Sequence, residues 1–382
     1  MSFKPNWPLK ALGAICAINP RSSIEGRGSD LAVSFVPMSD LPEGQLEFQP
    51  RQTKRMGEGG SYTYFENDDV LLAKVSPCFE NGKGGVARGL VNGAGLGSTE
   101  LHVLRCGDDV LPEWVYFAVQ HPQFRSLGAS EMTGSGGLRR LPREFVQTYP
   151  IPVPPLSEQQ RIVQTLREKF ANLDRARRAL ADQLDAAEKL PIALVRETLS
   201  EQTSETSLGD VLEEITGGVG DEWATRPLLG ATRSGLALAK EPIGKSPERY
   251  KPVEAGCIFY NPMRVLIGSI AYVEEGNGIV SPDYVAFTSK SGRLHSRWFY
   301  HWLKSEFGEH FIKSLARGAV RERILFSRLA DGVVSLPSWE RQLDAVRQME
   351  GAPALNRSLT DQLAALDRYP AALLREAFAG RL

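Results

Sequence analysis

The strongest constraint on the fold of this chain is a helix-like segment that occurs twice. Residues 182–197 are DQLDAAEKLPIALVRE, and residues 361–376 are DQLAALDRYPAALLRE. The two stretches are 179 residues apart and keep the spacing of leucine, proline and charged residues. A chain that repeats such an element over this distance is expected to contain an internal structural repeat.

A second match marks where each helical segment begins. The stretch VPPLSEQQRIV is followed much later by SLPSWERQLDAV. Adding 182 aligns Pro155 with Pro337 and Gln160 with Gln342. Since the offset falls from 182 to 179 between the two matches, the second copy is three residues shorter. The order along the chain is therefore predicted to be globule, long helix, globule, long helix.

The first long helix is predicted from Ser157 to about Ser200, where the sequence contains no glycine. Ser157 is the candidate N-cap, with Gln160 at the capping-box position. Apolar residues recur seven apart at Leu166, Leu173, Leu180, Ala187 and Leu194. A helix of about 40 residues is about 60 Å long. Its apolar seam needs a partner, and we expect the second copy to supply it as an antiparallel coiled coil.

The second copy contains Gly351 and Pro353, which should weaken or break its helix. The regions before each helical segment consist of short apolar runs separated by Gly, Pro, Asn and Asp, which is typical of β-rich domains. One helix is predicted there from Glu113 to about Gln120, and another begins near Ser296.

The fold class is therefore α+β, with two β-rich domains, two long helical spacers and a pseudo-two-fold internal repeat. At 382 residues the chain is too long for one ordinary core. The predicted domains are 1–155, a first β-rich domain, 156–203, a central helical spacer, 204–336, a second β-rich domain, and 337–382, a C-terminal helical spacer.

Bulk properties restrict where the protein works and what it binds. The net charge of −1 gives no global positive field, so a nucleic-acid partner would have to be bound by local basic patches. The four cysteines form no C-x-x-C pair, which fits a reducing cytoplasm. No signal-peptide core and no run of 18 apolar residues is present, so we expect a soluble cytoplasmic protein without a membrane partner.

Catalytic motifs are missing from the sequence. The five histidines show no metal-binding spacing. The stretch AKEPIGKS has alanine where a P-loop needs its first glycine. No nucleophile, base and orienting group can be assembled. The sequence predicts a binding protein and not an enzyme.

Two basic clusters are the candidate binding sites. MTGSGGLRRLPR, at 132–143, joins a Gly/Ser-rich loop to three arginines, and KSLARGAVRERILFSR, at 313–328, is a second cluster ahead of the other helical segment. Arginine pairs bidentately with phosphate and with guanine O6 and N7. The predicted DNA-binding residues are Lys74, Lys83, Ser135, Arg139, Arg140, Arg143, Asn261, Arg264, Lys313, Arg317, Arg321 and Arg323.

Either cluster alone is equally well explained as a surface loop with cations at a helix end. Their matching positions in a repeated architecture favour DNA. Lys74, Lys83, Asn261 and Arg264 are secondary candidates, because each lies in a turn after a β-like run, where ordinary turn residues also occur.

Several stretches together resemble the specificity (S) subunit of type I restriction-modification systems. They are IPVPPLSEQQRIV before the long helix, LLAKVSPCFENGKGG with GSTELHVLR, GSGGLRRLP, and YNPMRVLIGSIAYV with GIVSPDYVAF. The resemblance covers nearly the whole chain in the expected order. It implies two target recognition domains that each bind one half of a split DNA sequence, held by two packed helical spacers.

The same resemblance implies a non-catalytic subunit that works with double-stranded DNA, two methylation subunits and restriction subunits. It implies no cofactor in this chain, since S-adenosylmethionine, ATP and Mg belong to the partner subunits, where DNA methylation and cleavage take place. The second copy has LPSWERQ in place of PPLSEQQ. That departure leaves open whether both helix starts dock a partner in the same way.

Two other functions are compatible with parts of the sequence. A helical interaction scaffold would use the same spacers to assemble proteins, with globular domains that bind protein partners. A self-sufficient DNA methyltransferase would need a methyl-donor loop, and no G-x-G loop follows a predicted strand.

Overall fold

Contacts within the chain divide the protein into two units. The computed structural model describes residues 7–20, 28–58, 62–135, 137–200, 202–239, 243–290, 292–316 and 323–382. Unit 1 consists of Met1–Arg178 with Leu363–Leu382, and unit 2 of Ala179–Gln362. Each predicted spacer is thus divided between the two units, while the predicted domain boundaries themselves remain a prediction.

Unit 1 is built from short strands and short helices that precede a long helix. Its strands are β1 (Leu9–Ala11), β2 (Cys16–Ile18), β3 (Ala32–Val36), β4 (Glu47–Phe48), β5 (Gln52–Arg55), β6 (Thr63–Glu66), β7 (Val70–Ala73), β8 (Gly84–Ala87), β9 (Ala94–Gly97), β10 (Leu101–Cys106) and β11 (Pro150–Pro152). Its helices are α1 (Leu12–Ile15), α2 (Pro112–Gln120), α3 (Pro122–Glu131), α4 (Arg143–Thr148) and the start of α5 (Leu156–Leu199).

Two sheets and a two-stranded ribbon form the β-structure of unit 1. The main sheet has the order β2-β10-β7-β8-β4, and a second sheet has the order β5-β3-β9-β6. The ribbon pairs β1 with β11 in antiparallel register, Leu9 opposite Pro152. Strands β7 and β8 are buried along their whole length, because helix α2 covers the main sheet.

Unit 2 repeats most of these elements, and two separate strand pairs take the place of the second sheet of unit 1. Its strands are β12 (Thr203–Ser207), β13 (Leu212–Glu214), β14 (Leu229–Thr232), β15 (Gly235–Leu238), β16 (Lys251–Glu254), β17 (Ile258–Tyr260), β18 (Ile270–Tyr272), β19 (Asn277–Val280), β20 (Val285–Ser289) and β21 (Val333–Pro337). Its helices are α6 (Leu208–Val211), α7 (Ser296–Lys304), α8 (Glu306–Ala316) and α9 (Phe326–Ala330), after the end of α5.

The main sheet of unit 2 has the order β13-β20-β17-β18, which matches β2-β10-β7-β8 of unit 1 strand for strand. The ribbon β12-β21 matches β1-β11. Helix α1 packs on α4 as α6 packs on α9. The predicted internal repeat is therefore confirmed in sheet order and in helix packing.

The helical segments contribute to the core of each unit. In unit 1, Ile162 and Leu166 of α5 are buried in one cluster with Phe378 of α12 (Tyr369–Phe378). In unit 2, Leu194 of α5 is buried with Met349 of α10 (Trp339–Met349). The start of one segment thus packs with the end of the other, as the antiparallel prediction requires.

The two helical segments differ in continuity. Helix α5 runs unbroken for 44 residues with Pro191 inside it. The C-terminal segment consists of α10, α11 (Ala352–Leu366) and α12, so the predicted break at Gly351 is confirmed and a further break precedes α12. The predicted seam is buried at Leu166, while Leu173 and Leu180 near the middle are half-buried.

A buried glutamine fixes the start of α5 to the domain before it. The side-chain oxygen of Gln159 accepts a hydrogen bond from the Leu111 N–H at 2.9 Å. Its amide nitrogen donates to the carbonyl oxygens of Asp109 at 3.1 Å and Pro154 at 2.8 Å. Two of these three hydrogen bonds of the fully buried amide therefore join the helix start to the segment that leads into α2.

Unit 2 contains the same arrangement around Gln342, which is also fully buried. Its oxygen accepts from the His295 N–H at 2.8 Å. Its nitrogen donates to the carbonyl oxygens of Arg293 at 3.1 Å and Pro337 at 3.0 Å. The second helical segment is thereby joined to the segment that leads into α7.

This equivalence corrects the sequence alignment by one residue. Gln159 and not Gln160 corresponds to Gln342, so the offset at the helix start is 183 and not 182. Helix α5 begins at Leu156, so Ser157 lies in the first turn and the prediction that it is the N-cap was wrong. The helix predicted at Glu113–Gln120 is confirmed as α2, whereas α3 and α4 were not predicted.

Candidate nucleic-acid interface

The loop that carries the candidate arginines of unit 1 is pinned to the end of strand β7. Arg140 exchanges both backbone hydrogen bonds with Thr133, at 2.8 and 3.0 Å. Leu141 N–H donates to the Lys74 carbonyl oxygen at 2.7 Å, and Ser76 N–H donates to the Arg139 carbonyl oxygen at 2.9 Å. The Gly/Ser-rich sequence thus supplies a loop whose arginine backbone is held on both sides.

A buried, neutral histidine is hydrogen-bonded to the same loop. The Nε2 atom of His102 lies 2.9 Å from the Leu141 carbonyl oxygen, and its Nδ1 lies 3.1 Å from the Asn19 side-chain nitrogen. These partners require the proton on Nε2, with Nδ1 as acceptor. Burial lowers the pKa of His102, so the ring stays neutral at physiological pH. His102 therefore has a structural role in holding this loop.

Arg140 is held by a carboxylate that the sequence did not indicate. Its Nε lies 2.9 Å from Glu100 Oε2, and its Nη2 lies 2.8 Å from Glu100 Oε1. The hydrogen bond from Arg140 lowers the pKa of the Glu100 carboxyl, and the charge of Lys74 adds to this effect. About half of the Arg140 side chain remains exposed, 48 %.

Arg139 is held more loosely: among the described residues, one hydrogen bond holds its side chain. Its Nη2 donates to Glu80 Oε1 at 3.1 Å, and the Ser76 hydroxyl donates to the same oxygen at 2.9 Å. The sequence around the cluster does not reveal these partners, because Glu80 and Glu100 come from distant parts of the chain.

The other unit 1 candidates surround this loop. Lys74 is half-buried and directly follows β7. Lys83 directly precedes β8, and its ammonium group donates a hydrogen bond to the Met38 carbonyl oxygen at 3.3 Å. Ser135 is exposed at the loop tip, and Arg143 is exposed at the first position of α4. The structure therefore gathers Lys74, Arg139 and Arg140 at one end of the central strand β7.

In unit 2 the equivalent turn follows β17. The side-chain oxygen of Asn261 accepts from the Met263 N–H at 2.9 Å and shapes the turn. Arg264 is exposed, and Ile324 N–H donates to the Pro262 carbonyl oxygen at 3.1 Å. The segment before α9 is thus joined to this turn, as the arginine loop of unit 1 is joined to Ser76.

The structure describes part of the second basic cluster, residues 313–316 and 323–328. Lys313 lies in α8 and is paired with Glu309 one turn earlier, so it is an ordinary helix-surface ion pair. Arg323 is exposed next to Ile324, and hence beside the turn that carries Arg264. Arg317 and Arg321 lie outside the described residues.

Chemically, both sites offer exposed guanidinium groups on loops that a sheet and a helix hold in place. Within the described parts of the chain, no cluster of three or more His, Cys, Asp or Glu side chains could hold a metal ion. A membrane-crossing helix is likewise absent from those parts, since none is both long and apolar enough. The arrangement is suited to binding an anionic or hydrogen-bonding surface such as DNA.

The candidate interface of unit 1 lies within a stretch that matches a known protein family. Residues 56–183 match the family model described as type I restriction modification DNA specificity domain. This range contains Lys74, Lys83 and the whole arginine loop of unit 1.

Two curated relatives from Escherichia coli are similar in sequence. The type I restriction enzyme EcoAI specificity subunit is 38% identical over 188 residues, which cover 48% of this chain and 31% of that protein. The EcoEI specificity subunit is 36% identical over 201 residues, 52% of this chain and 34% of that protein. The alignments therefore span about a third of the relatives' own length.

Two solved structures share the fold over the whole chain. One, from a study of complex assembly and conformational transition of the type I R-M system, has a TM-score of 0.71 at 19% identity and covers 100% of both chains. The HsdS subunit from Thermoanaerobacter tengcongensis has a TM-score of 0.64 at 19% identity and covers 100% of this chain and 98% of that one.

Both curated relatives are named as specificity subunits, which agrees with the prediction of a recognition subunit and not of a catalytic one. The resemblance seen in the sequence is confirmed: residues 56–183 match the type I restriction modification DNA specificity domain, the curated relatives are type I specificity subunits, and the whole chain shares the fold of the HsdS subunit from Thermoanaerobacter tengcongensis.

Proposed function

We propose that this protein is the DNA-recognition subunit of a type I restriction-modification complex and binds a bipartite DNA target. The observation that carries this proposal is the repeated placement of basic loops. In both units the turn after the third strand of the main sheet, β7 or β17, is hydrogen-bonded to a loop with an exposed arginine. Two such units in one chain fit a target made of two half-sites.

The partners follow from the same proposal. Methylation subunits dock on the helical segments, and restriction subunits join through them, so catalysis and its S-adenosylmethionine, ATP and Mg lie outside this chain. The complex works in the cytoplasm, where the cysteines, which are free in the structure, stay reduced. Sequence-specific affinity comes from base contacts, while phosphate contacts orient the protein.

A gel-shift experiment with the full chain and its methylation subunit tests this function. The complex should bind genomic fragments that contain the host's methylation motif more tightly than fragments in which either half-site is scrambled. If the pair forms a stable complex but binds all duplexes equally weakly, the chain acts as a helical interaction scaffold and the proposal is wrong.

A further inference from the structure

The contact between Arg140 and Glu100 leaves one edge of the guanidinium group available. Glu100 accepts hydrogen bonds from Nε and from Nη2, which is the side of the group nearest the side chain's own stem. Among the described residues no acceptor is bonded to Nη1. The outer edge, formed by Nη1 and the second N–H of Nη2, can therefore donate two parallel hydrogen bonds.

Two parallel donors match the O6 and N7 acceptors of guanine in the major groove. Base recognition also needs a donor that is fixed in position before the DNA arrives. Arg140 meets this requirement through its paired backbone with Thr133, through Leu141 bound to His102, and through the two-point contact with Glu100.

The charge at this position also favours a base over a phosphate. Glu100 neutralises Arg140 locally, which weakens its attraction to any phosphate while leaving its outer N–H groups as donors. Arg139 differs, because Glu80 takes one of its terminal donors, Nη2, and leaves the side chain with one point of attachment. Arg139 is also paired with a carboxylate, so its charge does not distinguish it from Arg140. Its looser attachment suits it to a phosphate contact, which needs less precise orientation than a base contact.

We propose that Arg140 reads a guanine of the target and that Glu100 is the positioning residue that holds it for this contact. The inference rests on the proposed function and assigns separate roles to the two neighbouring arginines. Arg140 supplies base discrimination, and Arg139 supplies sequence-independent affinity.

The test measures binding of the full chain with its methylation subunit to the complete target, to targets with each guanine replaced in turn, and to a random duplex. In Arg140→Ala, random-duplex binding should fall by roughly fivefold because one positive charge is removed, and discrimination at one guanine position should fall in addition by roughly tenfold to hundredfold. Arg139→Ala should weaken target and random duplex by the same factor. Arg140→Lys should keep the charge and still lose the discrimination, because lysine lacks the planar fork.

Glu100→Gln tests the positioning role separately from folding. Discrimination at the same guanine should fall severalfold, and random-duplex binding should rise by roughly fivefold, since the variant removes one negative charge next to the DNA. Glu222→Gln is the control, because it removes the same charge from a carboxylate that accepts a hydrogen bond from Arg226 at 2.8 Å in unit 2, outside the helical segments. That control should leave guanine discrimination unchanged.

The inference is overturned if Arg140→Ala weakens all duplexes alike, or if Glu100→Gln leaves guanine discrimination at the wild-type level. In either case the wild-type complex still discriminates its target, so the proposed function stands. If the wild-type complex shows no preference for any sequence, the proposed function fails and the inference fails with it.

Discussion

Units 1 and 2 share a framework and differ in the surfaces attached to it. The sheet orders β2-β10-β7-β8 and β13-β20-β17-β18 agree, and each helical segment is fixed by an equivalent glutamine. By contrast, unit 1 adds the four-stranded sheet β5-β3-β9-β6, and unit 2 adds the hairpin β14-β15 and the pair β16-β19. The repeated part holds the domains, and the divergent part is where two half-sites of different sequence would be distinguished.

The two helical segments also share a sequence motif but differ in structure around its proline. Pro191 lies inside α5, whereas the equivalent Pro370 stands in the first turn of α12 after a break. Proline in a helix interior costs about 3 kcal/mol. Leu190, directly before Pro191, packs against the core of unit 2, while the equivalent Tyr369, directly before Pro370, is exposed. Tertiary packing therefore decides which copy stays continuous.

The largest expected effect comes from lengthening α5. Four residues inserted after Arg178 add about one turn, roughly 6 Å of helix, and return the seam close to its original face. We expect the methylated target to keep both half-sites and to gain a longer gap between them. Two inserted residues rotate the seam by about half a turn and should abolish methylation instead. An unchanged target after the four-residue insertion would refute the role of α5 as a spacer.

Replacing the buried glutamines tests whether the framework is truly repeated. Gln159→Ala and Gln342→Ala each leave three backbone groups without their partner, so each should lower the free energy of unfolding by about 2–4 kcal/mol. Urea denaturation measures this loss. The exposed Gln160→Ala is the matched control and should cost less than about 0.5 kcal/mol. If the Gln159→Ala and Gln160→Ala variants lose equal free energy of unfolding, the correction of the offset from 182 to 183 is wrong.

Each unit also contains a histidine that burial keeps neutral. Burial is the main cause that lowers the pKa of His121 in unit 1, and of His301 in unit 2, to about 4. An unfolded histidine takes up its proton near pH 6.5. Below that pH the histidine binds a proton in the unfolded state but not in the folded state. The free energy of unfolding should therefore fall as the pH drops from about 6.5 to about 4.

For His301 this loss amounts to about 2–3 kcal/mol. His301→Gln should flatten the pH dependence of the free energy of unfolding over that window. Urea denaturation of the wild type and of the variant across that window measures the difference. A slope that His301→Gln does not change would show that this ring is protonated in the folded protein.

The smallest expected effect concerns the break in the C-terminal segment. A Cβ atom at Gly351 meets nothing within 4 Å, so Gly351→Ala should extend the helix and stabilise the protein by about 0.5–1 kcal/mol. Far-UV circular dichroism and urea denaturation should both register the change. Gly276→Ala is the control, because its φ of +76° is strained for alanine and should give a loss. A loss at Gly351 would mean that the break is required for packing.

Periodicity predicted the framework, because seven-residue spacing and repeated segments are properties of the sequence alone. The pairing of Arg140 with Glu100 joins residues 40 positions apart, and Arg139 with Glu80 joins residues 59 apart. Such contacts depend on how the loop crosses the sheet, which local patterns do not encode. The offset was misjudged because two adjacent glutamines, Gln159 and Gln160, fit the motif equally well until burial distinguished them.

Mapping methylated adenines in DNA from cells that contain this protein and its methylation subunit tests the central claim most directly. The account predicts one split motif, with two short half-sites of different sequence separated by a gap of fixed length and unspecified bases. A single uninterrupted motif, or no methylation that depends on this chain, would contradict it.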